Sequence, residues 1–425
     1  MANKTLPQGY KDSPLGIIPK EWEVKRLEDI ADITSGTTPL RANSEYYNNG
    51  VIPWVKTTDL NNGTLYETEE KVSKEAVEKT SLRILPKGTV VVAMYGGFRQ
   101  IGRTALLGID ATINQALSAL MCKSSVESPF VLAWLNYRVN YWKRLAASSR
   151  KDPNITGNEV AKFPILIPSK EEQGCIVEVL GLWDTAIEKQ SELIEKLKLR
   201  KRALMQQLLT GKKRLPGFSG EWKKAKLGDV SNFLRNNTLS REQLNDDYGV
   251  INNIHYGDVL IKYPSIIDCR KEKLQYINDG VSILTDYVEN GDVIMSDTAE
   301  DETVGRVCEI QNVGNKKILA GLHTMLIRPH DKLFAPYYLG YYLNSEAYHK
   351  QLIPLIQGIK VCSIGKVAVQ NTILRIPSLE EQRIIASVFV QADKEIELAN
   401  EKLSDLQSQK RGLMQQLLTG KKRIL

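Results

Sequence analysis

The sequence predicts an α+β fold: two similar mixed α/β domains separated by two long helices that pair as an antiparallel coiled coil, with internal pseudo-twofold symmetry. Three observations predict it. The eleven residues LMQQLLTGKKR stand at 204–214 and recur unchanged at 413–423. PSKEEQ opens at Pro168 and PSLEEQ at Pro377, an offset of 209 that Leu204 and Leu413 share. Between these landmarks, apolar residues recur every seven positions in both copies.

The first segment, residues 1–167, begins with a polar arm (1–20) that lacks the apolar core of a secretory leader. The most apolar run, GTVVVAMYGG, is too short to span a bilayer. Five cysteines are scattered without a C-x-x-C pair, and four histidines make no metal-ligand spacing. Reduced thiols, no metal and a cytoplasmic location are expected. A hydrophobic share of 42%, a charged share of 25% and a net charge of +7 describe an ordinary globular chain with a weak lean towards an anionic partner.

EWEVKRLEDI at Glu21 and EWKKAKLGDV at Glu221 open the two domains at an offset of 200. That offset grows to 209 at the prolines, so insertions fall in the globular parts while the helices keep their length. GTVVVAMYG (88–96) and GDVIMS (291–296) read as buried strands after a glycine turn. IGR (101–103) or VGR (304–306) follows, then another strand, then the helical patterns SPFVLAWLNY and APYYLGYYLN. The order repeats in the second domain (215–376), after a linker KKRLPGFSG at 212–220.

The helical segments are 168–214 and 377–425. Ser169 with Glu172, and Ser378 with Glu381, have capping-box spacing, while Gly211 and Gly420 suit a left-handed stop. Leu180, Trp183, Ile187, Ile194, Leu197, Leu204 and Leu208 form one seam; Phe389, Ile396, Leu403, Leu406, Leu413 and Leu417 form the other. A parallel pair would set Lys201 against Lys410 in an apolar layer, so the helices should run antiparallel. The KKR ends admit two readings, cations that offset the helix dipole or contacts to phosphate or a partner.

This organisation resembles the specificity (S) subunit of type I restriction–modification enzymes over nearly the whole chain. The P-x-x-EEQ helix openings, the LMQQLLTGKKR endings and the EW…KL-x-D(I/V) domain openings carry the resemblance. It implies two target recognition domains on double-stranded DNA, and docking of two adenine methyltransferase (modification) subunits with ATP-dependent restriction subunits in the full enzyme. S-adenosylmethionine, ATP and magnesium are then expected on those partners and no cofactor on this chain. Unlike domains at opposite ends of a constant spacer should read two unlike half-sites.

Side chains suited to base edges and phosphates stand in the variable loops. In the first domain these are Lys56, Thr57 and Thr58; Arg99, Gln100 and Arg103; Arg150, Lys151 and Asn154. In the second they are Asn252, Asn253, His255 and Tyr256; Thr298 and Arg306; Gln357, Lys360 and Lys366. Arg103 and Arg306, each after a glycine between strands, also admit a structural reading. A second reading is an enzyme, a self-contained methyltransferase or nuclease; no N/D-P-P-Y/F tetrapeptide and no G-x-x-x-x-G-K-S/T loop is present to support it. A coiled-coil adaptor that binds only proteins is the alternative.

Overall fold

The computed structural model describes residues 6–147, 154–281 and 285–424. By contacts the chain divides into two units, residues 1–190 with 402–425, and residues 191–401. Each long helix therefore contributes one part to each unit.

In the first unit a five-stranded sheet runs in the order Ala31–Ser35, Leu117–Cys122, Val90–Ala93, Thr104–Leu107, Thr64–Leu65. All neighbours are antiparallel except the last pair, which is parallel. The second unit repeats order and directions with Ser231–Leu234, Thr324–Pro329, Val293–Ser296, Val307–Gln311 and Ile266–Asp268. The central strands VVVA and VIMS are buried on both faces, which is why they read as continuous apolar runs. Gly88 and Gly291 precede them with φ of +89° and +87°, a conformation that glycine adopts without strain.

A smaller sheet joins Thr112–Ile113, Ile52–Val55 and Glu70–Val72 in the first unit. Its counterpart has four strands, with Leu244–Asn245 added beside Gln275–Ile277, Ile251–Ile254 and Lys317–Ala320. The expected helices form at Ser128–Tyr137 and Tyr338–Leu343. The second is shorter because Tyr337 sits in a left-handed conformation, φ 72°, and cannot extend the helix backwards.

The opening strands pair with the strands that lead into the long helices: Glu23–Arg26 with Pro164–Ile167, and Lys223–Lys226 with Ile373–Ile376. The long helices are Lys170–Leu208 and Leu379–Leu417, 39 residues each. Ser169 and Ser378 accept the Glu172 and Glu381 amides at 3.2 and 3.3 Å, but the two carboxylates turn elsewhere, so each capping box is half formed. Gly211 and Gly420 take the left-handed stop at φ 70° and 68°.

All the seam residues named above are buried or half-buried. In the second unit Lys201 pairs with Asp393 and Arg200 with Glu395; in the first, Lys410 pairs with Asp184. Within each unit, numbers fall along one helix as they rise along the other, so the seam is antiparallel. Leu208 and Leu209 enter the core of the second unit, and Leu417 and Leu418 that of the first.

Candidate nucleic-acid interface

A polar joint fixes the base of each unit. In the first, the Glu172 carboxylate, 1% exposed, accepts Trp22 Nε1 at 3.0 Å and Arg423 Nε and a terminal guanidinium nitrogen at 2.5 and 2.9 Å. In the second, Glu381 accepts Trp222 Nε1 at 3.1 Å and Arg214 at 2.7 and 2.8 Å. The adjacent Gln173 donates to Pro168 O and accepts the Glu127 amide; Gln382 donates to Pro377 O and Leu333 O and accepts the Ala335 amide. Both readings of the KKR ends therefore fail for Arg214 and Arg423: each cation neutralises a buried acid.

At the other end of the main sheet, three loops meet through two backbone bonds. In the first unit Met94 N donates to Ala116 O at 2.8 Å, and Ile155 N donates to Met94 O at 2.9 Å. In the second, Asp297 N donates to His323 O at 3.0 Å, and Ile364 N donates to Asp297 O at 2.9 Å. The first loop returns to the sheet through glycine at positive φ, Gly102 at 75° and Gly305 at 87°. The arginine after each glycine is committed to the scaffold. Arg103 donates to Leu60 O; Arg306 donates to Leu260 O and, at 3.3 Å, to Tyr263 O. These bonds are what the structural reading of both arginines requires.

On this shared frame the side chains differ. The first unit presents Tyr95 and Phe98, 43% and 49% exposed, beside exposed Arg99, with Gly96 and Gly97 at positive φ. Gln100 is half-buried, and its Oε1 has no hydrogen-bond donor among the described residues. The second unit presents Thr298, whose hydroxyl donates to Asp297 at 2.8 Å and lies 3.3 Å from His323 Nδ1. The Tyr256 ring stands edge-on to His323 with centroids 5.3 Å apart. The buried His255 caps helix Tyr256–Ile261, its Nδ1 accepting the Gly257 amide at 3.3 Å. Burial, helped by the charge of Arg241, pushes the His255 imidazole down to about 4, so it stays neutral and an acceptor.

The other residues expected to read DNA divide into those with partners within their own unit and those left exposed. Lys56 is held between Glu69 and Glu70 at 2.9 and 2.7 Å, and Glu70 also takes Arg41. Thr57 is half-buried and Thr58 exposed in the turn beyond. Asn252 donates into the small sheet at Gln275 O, 3.3 Å, and Asn253 accepts Asn237 at 2.7 Å. Lys366 donates to Phe233 O at 3.1 Å. Gln357 and Lys360 stay exposed on a hairpin closed by Gln357 and Ser363. Asn154 is half-buried beside Ile155, and Arg150 and Lys151 lie outside the described residues. No described helix is long and apolar enough to cross a membrane.

Residues 19–199 and 219–408 each match the family model for the type I restriction modification DNA specificity domain. The chain belongs to that family. The MjaIX specificity subunit of Methanocaldococcus jannaschii is 33% identical over 198 residues, which span 45% of this chain and 45% of that protein. The chain thus aligns with less than half the length of that relative. The putative MjaX specificity subunit of the same organism is 22% identical over 98% of this chain and 97% of its own. A chain solved in a study of complex assembly and conformational transition of the type I R-M system shares the fold. Its TM-score is 0.61 at 17% identity, covering 95% of this chain and 99% of that one.

The sequence did not single out His323, Tyr95 and Phe98, which the fold brings to the loop end, because neither an aromatic beside two glycines nor a lone histidine is marked by spacing. The Trp–Glu–Arg joint carried a signal, since all three residue types recur in both halves, but nothing in the sequence brings them together.

Proposed function

We propose that this chain is the non-catalytic DNA-reading subunit of a cytoplasmic type I restriction–modification complex, and that each unit reads one half of an asymmetric bipartite target. The observation that carries this reading is the loop end: one backbone frame built twice, bearing Tyr95, Phe98 and Arg99 in one unit and Thr298, His323 and Tyr256 in the other. Guanidinium and amide groups pair bidentately with base edges, while hydroxyl, imidazole and aromatic groups add single hydrogen bonds and apolar contacts to thymine. Two unlike side-chain sets on one frame are what two unlike half-sites require. The paired helices, constant in length, set the gap and dock the methyltransferase subunits. S-adenosylmethionine, ATP and magnesium belong to the partner subunits.

Methylome sequencing of cells carrying this chain with its partner subunits tests the reading. The expected result is adenine methylation in two short unlike sequences separated by unread bases. A single continuous palindrome, or methyl transfer by the purified chain alone, would overturn it.

A further inference from the structure

The second unit carries an apolar tip at its loop end. Buried Ile364 and half-buried Ile356 anchor the two arms of a hairpin in the core of the unit. Gln357 and Ser363 close it with two backbone bonds, at 2.9 and 2.8 Å. Gly358 turns the chain at φ 97°, and a Cβ there would collide with Val361 O. The turn leaves Ile359, Lys360 and Val361 outside. Ile359 is 97% exposed, and among the described residues no large apolar side chain is more so; Val361 is 58% exposed.

This hairpin is paired to Thr298. Cys362 and Ser363 lie antiparallel to Ala299 and Thr298, and Ile364 N donates to Asp297 O at 2.9 Å. A duplex that meets Thr298 therefore meets the hairpin beside it. From Gln357 to Ser363 the chain has one cation and no acid. Among the described residues, the side chains of Gln357 and Lys360 have no hydrogen-bond or ionic partner. Of the acids after Ala299, Glu300 is exposed, while Asp301 and Glu302 line a pocket with Met205 and His349 that no hairpin residue joins. A protein partner would need about 800 Å² from each side, and three side chains on one turn offer a fraction of that. A narrow apolar tip beside a free ammonium and a free amide suits a DNA groove, where aliphatic wedges enter between base steps.

We propose that Ile359 inserts between two stacked base pairs at the half-site read by the second unit, with Lys360 on the adjoining phosphate. The unit then selects a step that unstacks easily, as pyrimidine–purine steps do, in addition to base edges. The proposal rests on the DNA-reading function above. The test uses the complex with its partner subunits on a duplex carrying the target that methylome sequencing defines. 2-Aminopurine, which brightens when it loses its stacking neighbours, replaces successive bases of both half-sites, the methylated adenines excepted. The wild type should brighten one step in one half-site. Ile359→Ala should abolish that rise and weaken binding about tenfold, whereas Ile359→Phe should keep it. Lys360→Ala should weaken binding and keep the rise. The thermal midpoint of Ile359→Ala should not move, because an exposed tip supports little of the fold.

A rise that survives Ile359→Ala overturns the proposal. So does a loss of assembly with the partner subunits at unaltered fluorescence, which would put a protein on the tip. Should cells show a bipartite target and no step brighten, the wedge alone fails; should they show no such target, the reading of the loops fails and the wedge with it.

Discussion

In the first unit Glu172 takes Arg423 and Trp22, and in the second Glu381 takes Arg214 and Trp222, at distances between 2.5 and 3.1 Å in both. At the loop end of the same two sheets, Met94 and Tyr95 stand in one unit where Asp297 and Thr298 stand in the other. The difference follows from burial. A carboxylate withdrawn from water needs a bidentate cation and further donors at fixed positions, and few side-chain sets supply them. An exposed loop tip held by two backbone bonds constrains no side chain, so its chemistry is free to differ. Constancy at one end and variety at the other are then two consequences of one scaffold.

The comparison breaks most visibly if the two joints prove unequal. Glu172→Ala leaves half-buried Arg423 with only the exposed Glu21, 3.2 Å away, and Glu381→Ala leaves Arg214 with no acid among the described residues. Each should cost about 3–5 kcal/mol in chemical denaturation, the range for breaking a buried pair from one side. The two losses should agree to about 1 kcal/mol, within the context dependence of such contributions. A loss in one unit and none in the other would mean that the repeated residues do not share a role.

One buried acid separates the units sharply. Glu309 is fully buried, cross-strand from Val293; in the first unit the residue across from the equivalent Val90 is Leu106. Burial pushes the Glu309 carboxyl up to about 7, although it accepts the amides of Tyr337 and Gly340 at 2.5 and 2.8 Å. Its folded value thus lies above the ordinary one. Stability from this group is complete below about pH 4.5 and is lost as pH rises through about 7, by at most about 3 kcal/mol. Hydrogen exchange measured from pH 5 to 8 should show this decline in the second unit only, after correction for the intrinsic exchange rate. Glu309→Gln should flatten it, and a matching decline in the first unit would assign it to another group.

How much of this was legible in the sequence follows from what repeats. The helices, their ends and their direction could be read because heptads, glycine stops and the clash of Lys201 with Lys410 in a parallel pair follow from linear patterns with strong physical preferences. The central strands VVVA and VIMS could be read as buried runs. The joint was half legible: EEQ and KKR were visible as repeats, but only folding brings positions 172 and 423 together. The loops were the least legible. Arg103 and Asn253 have the side chains of base readers, yet one serves Leu60 O and the other Asn237. Residue type marks what a group can do, and only the fold decides whether it is left free to do it.

Loop substitutions sharpen the comparison at the next size of effect. Arg99→Ala should change recognition in one half-site and leave the other as it was; Thr298→Val should do the converse. A lost base contact is worth about 1–3 kcal/mol, read as a fall in methylation at the cognate sequence and gain at sequences that differ in that half. A change in both halves from either substitution would show that the loops do not act separately.

The smallest expected effect concerns the seam lysines, which look equivalent and are not equally embedded. Lys201 meets Asp393 with its side chain 18% exposed and lies 5.1 Å from the Tyr341 ring centroid. Tyr341 in turn donates to Asp393 at 2.7 Å, so ammonium, carboxylate and phenol form one small network. Lys410 is 21% exposed, but its partner Asp184 is 61% exposed, where water competes for the carboxylate. Lys201→Ala should therefore cost about 1 kcal/mol and Lys410→Ala about half of that or less. Exchanging the charges, Lys201→Asp with Asp393→Lys, should restore only part of the first loss, since the ammonium then leaves the tyrosine ring. Full restoration would assign the difference to the ion pair alone and remove the ring from the account.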